Sequence, residues 1–152
     1  MDRRELILAR IFTLIDAIPD YTGFRNVAPL SEDQRPGITL LDGDERARGS
    51  TSTDGRGNDA PLMMEMFPEI FAAQKQRLPG DVVNVGTKLN TVRALLLGTI
   101  LTDATLKDLI GPKGSILYTS GQTDLARGRE MQGELGLAFT VVYTLRFSEL
   151  IT

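Results

Sequence analysis

The sequence predicts an α+β fold: a mostly antiparallel sheet with helices packed on one face and a long C-terminal strand. Residues 135–147 carry a large apolar side chain at every odd position, as a strand with one buried face does. Residues 2–18 and 85–100 instead repeat apolar residues at three- and four-residue spacing, which is typical of helices. The other strand-like segments are clustered and do not alternate singly with helices, which favours α+β over α/β.

Length and composition are those of an ordinary globular protein. The chain has 152 residues, of which 41% are hydrophobic and 24% charged, so a single domain spanning residues 1–152 is expected. Arg10, Thr13 and Asp16 interrupt the apolar residues near the N-terminus. This segment is therefore expected to be neither a signal peptide nor a membrane span.

The first element is an amphipathic helix over residues 2–18. Asp2 is placed to cap its first turn, with Glu5 three residues further on, and Pro19 ends it. Two short strands are predicted next, at residues 23–27 and 38–41.

A long polar segment follows the second strand. Residues 43–59 contain four glycines among polar and charged residues, and they include no large apolar residue. Such a composition does not pack into a core, and the segment is long for a connection within a compact domain. We therefore predict a flexible loop or hairpin arm at about residues 43–60, either a mobile tip or an arm that binds a partner.

The next strand, predicted at residues 61–73, contains Pro68. Proline has no N–H to donate to a strand ladder, so this strand is expected at a sheet edge or with a bulge. The rest of the chain is predicted to form helices at 85–100 and 103–110, a strand at 115–119, a polar connection at 120–133 and the final strand at 135–147. Asn84 is placed to cap the first of these helices, and Gly111 with Pro112 to end the second.

The residue inventory narrows the possible chemistry. The chain has no histidine and no cysteine, which excludes catalytic histidine, thiolate nucleophiles and zinc sites built from either residue. We expect a protein that is not an enzyme, with no catalytic residue, no cofactor and no metal. The net charge of −3 and the pI of about 5.0 disfavour a sequence-specific DNA-binding protein.

One alternative from a different functional class rests on Asp42, Asp44 and Glu45, the densest group of carboxylates. A metal-dependent hydrolase could use such a group to hold Mg²⁺. Arg46 and Arg48 follow directly and are placed to neutralise these acids, so a solvated charged segment is the favoured interpretation.

The candidate interface residues lie in the polar segment, in the connection before the final strand, and on the even-numbered face of that strand: Arg46, Arg48, Asp54, Arg56, Arg127, Arg129, Ala138, Thr140, Val142 and Thr144. The even face is small or β-branched, typical of a strand that meets a neighbouring subunit or a second sheet. Arg127 and Arg129 could also contact DNA phosphates or acids of a neighbouring subunit, or simply be solvated.

Several local patterns occur in order along nearly the whole chain: Ile38-Thr39-Leu40-Leu41-Asp42-Gly43-Asp44-Glu45, Met66-Phe67-Pro68-Glu69-Ile70, Leu89-Asn90-x-x-Arg93, Asp103-x-x-Leu106, Gly114-x-Ile116-x-Tyr118, and Gly128-Arg129-Glu130 before the strand that contains Tyr143. With the N-terminal helix, they resemble the tail-terminator and minor tail (tail completion) proteins of long-tailed bacteriophages.

This resemblance implies a structural virion protein that forms a homo-oligomeric, hexameric ring. The ring would cap the tail tube, stop its polymerisation and join it to the head connector. The implied partners are further copies of the chain, the tail tube protein and the head–tail connector or neck proteins, with DNA passing through the lumen without specific binding and no membrane. The implied location is the virion tail or neck, assembled in the host cytoplasm. A head-closure or neck protein of the same particle is the nearest alternative, and a non-viral adaptor that binds through the polar arm is another.

Overall fold

The computed structural model describes residues 1–50, 61–75, 85–126 and 132–150. Within these residues the chain has the predicted α+β fold, with a mostly antiparallel sheet. The helices are α1 (Arg3–Asp16), α2 (Val85–Thr102), α3 (Ala104–Ile110) and α4 (Phe147–Leu150). The strands are β1 (Thr22–Arg25), β2 (Gly37–Leu41), β3 (Glu45–Ser50), β4 (Leu62–Met66), β5 (Glu69–Lys75), β6 (Ser115–Ala126) and β7 (Gln132–Leu145).

The long strand β7 organises the sheet. One of its edges pairs with β6, and the other pairs first with β5 and then with β4, all antiparallel. Beyond β5 the sheet continues through β2 to β1, and beyond β4 it continues to β3. Among the described strands, only β1 and β2 pair in parallel.

One face of the sheet is covered by α1, α2 and α3. Five odd-numbered side chains of β7 point into this layer and are at most 2% exposed: Leu135, Leu137, Phe139, Val141 and Tyr143. They form one core cluster with the predicted apolar stripes of the helices, among them Ile11 and Ile15 of α1 and Leu89 and Leu96 of α2. The prediction that the odd face of the final strand packs against helices is confirmed for these residues, but not for Phe147, which lies beyond the strand in α4 and is 44% exposed.

The helix caps follow the sequence signals. Asp2 accepts a hydrogen bond from the backbone N–H of Arg4, and Asp103 accepts one from that of Leu106. Gly111 ends α3 with a φ of 88°, a conformation that glycine adopts at little cost. No described helix combines the length and the apolar character that a membrane crossing would require.

The predicted strand at 61–73 is broken at Pro68. A second break, between β2 and β3, lies beside it. The backbone N–H of Phe67 in the first break donates a hydrogen bond to the carbonyl of Asp44 in the second, at 2.9 Å. The carbonyl of Pro68 accepts from the N–H of Phe139 at 3.1 Å. The pairing with β7 stays in register across the break, from Met66 opposite Val141 to Glu69 opposite Ala138, so the expected bulge at Pro68 is absent. The expected edge position is wrong, because both halves of the strand are flanked by strands on each side.

Gly43 lies in the break between β2 and β3, where substitution should be costly. Its φ is 73°, and a Cβ atom there would lie 2.0 Å from the carbonyl oxygen of Phe67. We expect Gly43→Ala to lower the free energy of unfolding by about 2–4 kcal/mol, measured by urea denaturation. The matched control is Gly98→Ala in α2, where a Cβ would meet no atom within 4 Å and should stabilise the helix by up to about 1 kcal/mol. Equal effects at both positions would contradict the steric argument.

Two polar segments form strands that side-chain patterns do not predict. Residues 120–126 continue β6, where a polar connection was expected, and residues 45–50 form β3 inside the predicted polar arm. Both strands are hydrogen-bonded to an apolar neighbour, β7 or β4, so the partner strand supplies what their own side chains lack. The helix α4 was not predicted. The predicted cap Asn84 and the remainder of the polar arm at 51–60 lie outside the described residues.

Candidate interaction surface

The sheet face opposite α1, α2 and α3 is the candidate interaction surface. We call it the open face and define it by the even-numbered residues of β7 from 136 to 144 and their neighbours in register on β4, β5 and β6. Ala138 lies opposite Glu69 of β5 and Ser120 of β6, and Val142 lies opposite Glu65 of β4. Because side chains alternate along a strand, all these residues point away from the helices.

The four β7 residues proposed from the sequence share this face. Ala138, Thr140 and Thr144 are partly exposed, whereas Val142 is only 5% exposed. Leu117 of β6 lies opposite Thr140, and 55% of its surface is exposed. The open face is therefore a mixture of small, β-branched and apolar side chains, with the exposed polar residues Glu69 and Ser120 beside Ala138.

Aromatic packing extends the apolar part of the open face. Phe71 of β5 lies opposite Gly136, and a Cβ on Gly136 would come within 3.0 Å of the Phe71 ring. The glycine thus leaves room for the ring to lie across β7. Sequence reasoning missed Phe71 and Leu117, because their position on this face depends on strand register, which the side-chain alternation of β7 alone does not reveal.

Arg46 and Arg48 lie at the end of the open face, beside Val142. Both guanidinium groups contact Glu65, with N–O distances of 3.1 Å and 3.2 Å. The Glu65 side chain is 13% exposed, whereas those of the arginines are 69% and 59% exposed. The arginines of the polar segment and the even-numbered face of β7, which were proposed separately, therefore lie side by side. The two arginines present positive charge to solvent at this end of the face.

Two of the three carboxylates of the alternative hydrolase hypothesis, Asp42 and Glu45, are held in separate contacts. Asp42 accepts two hydrogen bonds from Arg25, at 2.8 Å and 3.0 Å. Glu45 accepts one from the hydroxyl of Tyr143 at 2.8 Å and pairs with Arg4. The expectation that Arg46 and Arg48 neutralise these acids is wrong, because both arginines contact Glu65 instead. Within the described part of the chain, no three acidic side chains are grouped as metal ligands would be.

These contacts attach α1 to the sheet and shift the pKa values of the groups involved. Hydrogen bonds from Arg25 lower the pKa of Asp42 and that of Glu5, the residue of α1 that Arg25 also contacts. Burial, with the nearby Glu45 carboxylate, raises the pKa of Tyr143. The arrangement is that of a structural ion-pair network, since each acid already has its cation or hydroxyl donor.

The lowered pKa values predict acid-sensitive stability. A carboxyl group whose pKa is depressed by folding stabilises the protein above its unfolded pKa, and that contribution is lost as the pH falls through the folded value. Wild-type stability should therefore fall between about pH 5 and pH 3, measured by urea denaturation. Arg25→Gln should be less stable at neutral pH and show a shallower loss on acidification. Lys107→Gln, at an exposed position of α3, should keep the wild-type pH profile; a parallel profile for Arg25→Gln would contradict the assignment.

The other proposed interface residues, Asp54, Arg56, Arg127 and Arg129, lie outside the described residues. Neither the protein-family models nor the curated proteins with which the chain was compared give a match.

Proposed function

We propose that this chain is a structural virion protein, a subunit of a tail-terminator-like ring that caps the tail tube of a long-tailed bacteriophage and joins it to the head connector. In this role the chain assembles with copies of itself, as a hexamer, and with tube and connector proteins. It works by shape and surface contacts and needs no catalytic site. Its location is the tail or neck of the virion, after assembly in the host cytoplasm.

The observation that carries this proposal is the open face. A sheet that covers one face with helices and leaves small and apolar residues accessible on the other is suited to burying that second face against another molecule. Thr140 and Leu117 lie at the centre of the face, and the exposed arginines 46 and 48 lie at its end. Glu69 and Ser120 add exposed polar groups beside Ala138, and direct polar contacts are a usual part of a protein–protein interface.

A closed ring also fits the asymmetry of the subunit. Rings are built from heterologous contacts, in which two different surfaces of the same chain meet head to tail. The described domain has two unlike surfaces, the helix layer and the open face. The negative net charge suits a lumen through which DNA passes without binding.

Two measurements on the purified wild-type chain test the proposal. Size-exclusion chromatography with light scattering should give a discrete oligomer, and electron microscopy should show it as a ring. Added to tail tube protein during polymerisation, the ring should stop tube growth and appear at tube ends. A stable monomer that leaves tube length unchanged would refute the proposal.

The neighbouring role of a head-closure or neck protein makes a different prediction in the same experiment. Such a protein forms the oligomer but binds connector complexes and does not cap tubes. Mixing the labelled chain with tubes and with tail-less heads in parallel therefore separates the two roles.

A further inference from the structure

A cavity of about 260 Å³ opens at the end of the sheet, between α1, α4, the start of β4 and the turn after α3. Three of the side chains that line it are positively charged and one is negatively charged: Arg3, Lys113, Arg146 and Glu149. The lining therefore has an excess of positive charge, in a protein whose net charge is −3. We call this site the basic cavity.

Arg3 is held in a fixed position in the wall of the basic cavity. One of its terminal nitrogens donates to the carbonyl of Leu109 at 3.0 Å, and the other donates to the carboxylate of Glu149 at 2.8 Å. Its Nε–H group is shielded from solvent and has no acceptor among the described residues. A buried donor without an acceptor is costly, and a neighbouring anion lowers that cost.

The acid of the lining is neutralised within this wall. Glu149 forms an ion pair with Arg3, and both side chains are less than one-third exposed. Lys113, by contrast, is exposed, and no described residue forms an ion pair with it. An anion that enters the cavity therefore meets positive charge that Glu149 does not balance.

Thr144 adds a neutral hydrogen-bond donor to the lining. Its hydroxyl donates to the Sδ atom of Met63 at 3.5 Å, and a thioether sulfur is a weak acceptor. Because a hydroxyl group rotates to suit its partner, that of Thr144 can turn to a stronger acceptor in the cavity. Apolar side chains form another part of the lining: Pro61, Met63, Ile110 and Pro112. The cavity can thus hold an anionic group together with a small apolar one.

Charge and volume together indicate the chemical class of the ligand. At roughly 30 Å³ per water molecule, the cavity corresponds to about nine waters, which is room for a phosphate group and a compact substituent. A phosphate monoester carries between one and two negative charges at neutral pH, which suits a lining with unbalanced positive charge. Arginine binds phosphate oxygens through paired N–H groups, and lysine binds them as a point charge.

We propose that the basic cavity binds a small phosphate, either free phosphate or a phosphate monoester with a compact apolar group. Lys113 and Arg146 supply the positive charge, Thr144 donates a hydrogen bond, and the ion pair of Arg3 with Glu149 forms the wall. All of these residues belong to one copy of the chain, so the site does not depend on the ring proposed above.

Isothermal titration calorimetry with inorganic phosphate tests the site, at a constant ionic strength set with sodium chloride. The wild-type chain should bind phosphate with a dissociation constant of about 1 mM, the strength of two or three charge-assisted hydrogen bonds. Lys113→Gln should weaken binding at least about tenfold, because it removes a charged donor. Thr144→Val, which keeps the shape and removes the hydroxyl, should weaken it about threefold or more.

The matched control is Lys107→Gln, which makes the same change in net charge as Lys113→Gln. Lys107 is another exposed lysine, on α3 and outside the lining of the basic cavity. Its variant should bind phosphate like the wild type. Circular dichroism checks that each variant is folded, as expected for Lys113→Gln because no described ion pair is lost.

A parallel titration with phenyl phosphate distinguishes the two sources of the phosphate group. Tighter binding than that of inorganic phosphate would assign a monoester whose apolar group contacts the wall at Ile110. Equal or weaker binding would assign free phosphate.

The proposal is overturned if the wild-type chain shows no saturable binding at ten times the expected dissociation constant. It is also overturned if Lys113→Gln binds like the wild type, or if Lys107→Gln loses as much affinity as Lys113→Gln. The last result would mean that phosphate responds only to the overall charge of the protein. Each of these outcomes leaves the ring proposal as it stands, because the ring is tested by oligomeric state.

Discussion

Thr140→Lys is expected to convert the proposed ring into folded monomers. Thr140 lies at the centre of the open face, opposite the exposed Leu117. A lysine there would place a long, charged side chain in the middle of the proposed contact, which should weaken association by about 3 kcal/mol or more, over a hundredfold. Within the subunit the new side chain points to solvent, so the free energy of unfolding of the monomer should change by no more than about 1 kcal/mol.

Light scattering measures the first effect, and urea denaturation at low protein concentration measures the second. The matched control is Thr13→Lys on the exposed side of α1, which should leave assembly unchanged. An unfolded Thr140→Lys chain would mean that the even face of β7 belongs to the subunit core, and an intact oligomer would mean that the interface lies elsewhere.

Phe139→Ala should destabilise the fold of the subunit, although Phe139 is the direct chain neighbour of Thr140. Phe139 is 2% exposed beneath the helices, and its ring packs edge-on against Tyr118 with a centroid distance of 5.9 Å. Removing the ring should lower the free energy of unfolding by about 3–5 kcal/mol, because it leaves a cavity in the core. Urea denaturation at one fixed protein concentration measures the loss, since assembly itself adds to apparent stability.

Phe139→Leu is the conservative control and should cost under about 1.5 kcal/mol, because most of the buried volume is kept. A loss below about 1 kcal/mol for Phe139→Ala would show that the odd face of β7 is not the packed one. Together with Thr140→Lys, the pair assigns stability to one face of a single strand and assembly to the other.

Elements with a strong apolar period were predictable from the sequence. The stripe of α1 around Ile11, the stripe of α2 around Leu96 and the alternation around Phe139 each specify both the type of element and its buried side. The cap Asp2 was also predictable, because a side chain that bonds a backbone N–H two residues away is a local interaction. The cap Asp103 is equally local but was not predicted.

Elements held by a neighbouring strand were not predictable in this way. Residues 120–126 are polar, yet they extend β6 because β7 lies alongside to accept and donate the backbone hydrogen bonds. The same holds for β3 beside β4. Pro68 was expected to place its strand at an edge or to form a bulge, and it does neither; it lies inside the sheet beside the break at Gly43, which comes 25 residues earlier in the chain.

The candidate surface was likewise predictable from the sequence only in part. The sequence by itself determined that β7 has one apolar face for a core and a second face of small and β-branched residues. Both kinds of side chain alternate along one continuous segment, so no other part of the chain is needed to recognise them. Only the tertiary structure decided what lies beside that second face: Leu117 across from Thr140, Glu69 across from Ala138, and Arg46 with Arg48 at Glu65. Those neighbours come from distant parts of the chain, and the register that aligns them is set by strand pairing and by the paired breaks at Gly43 and Pro68, which no single segment encodes.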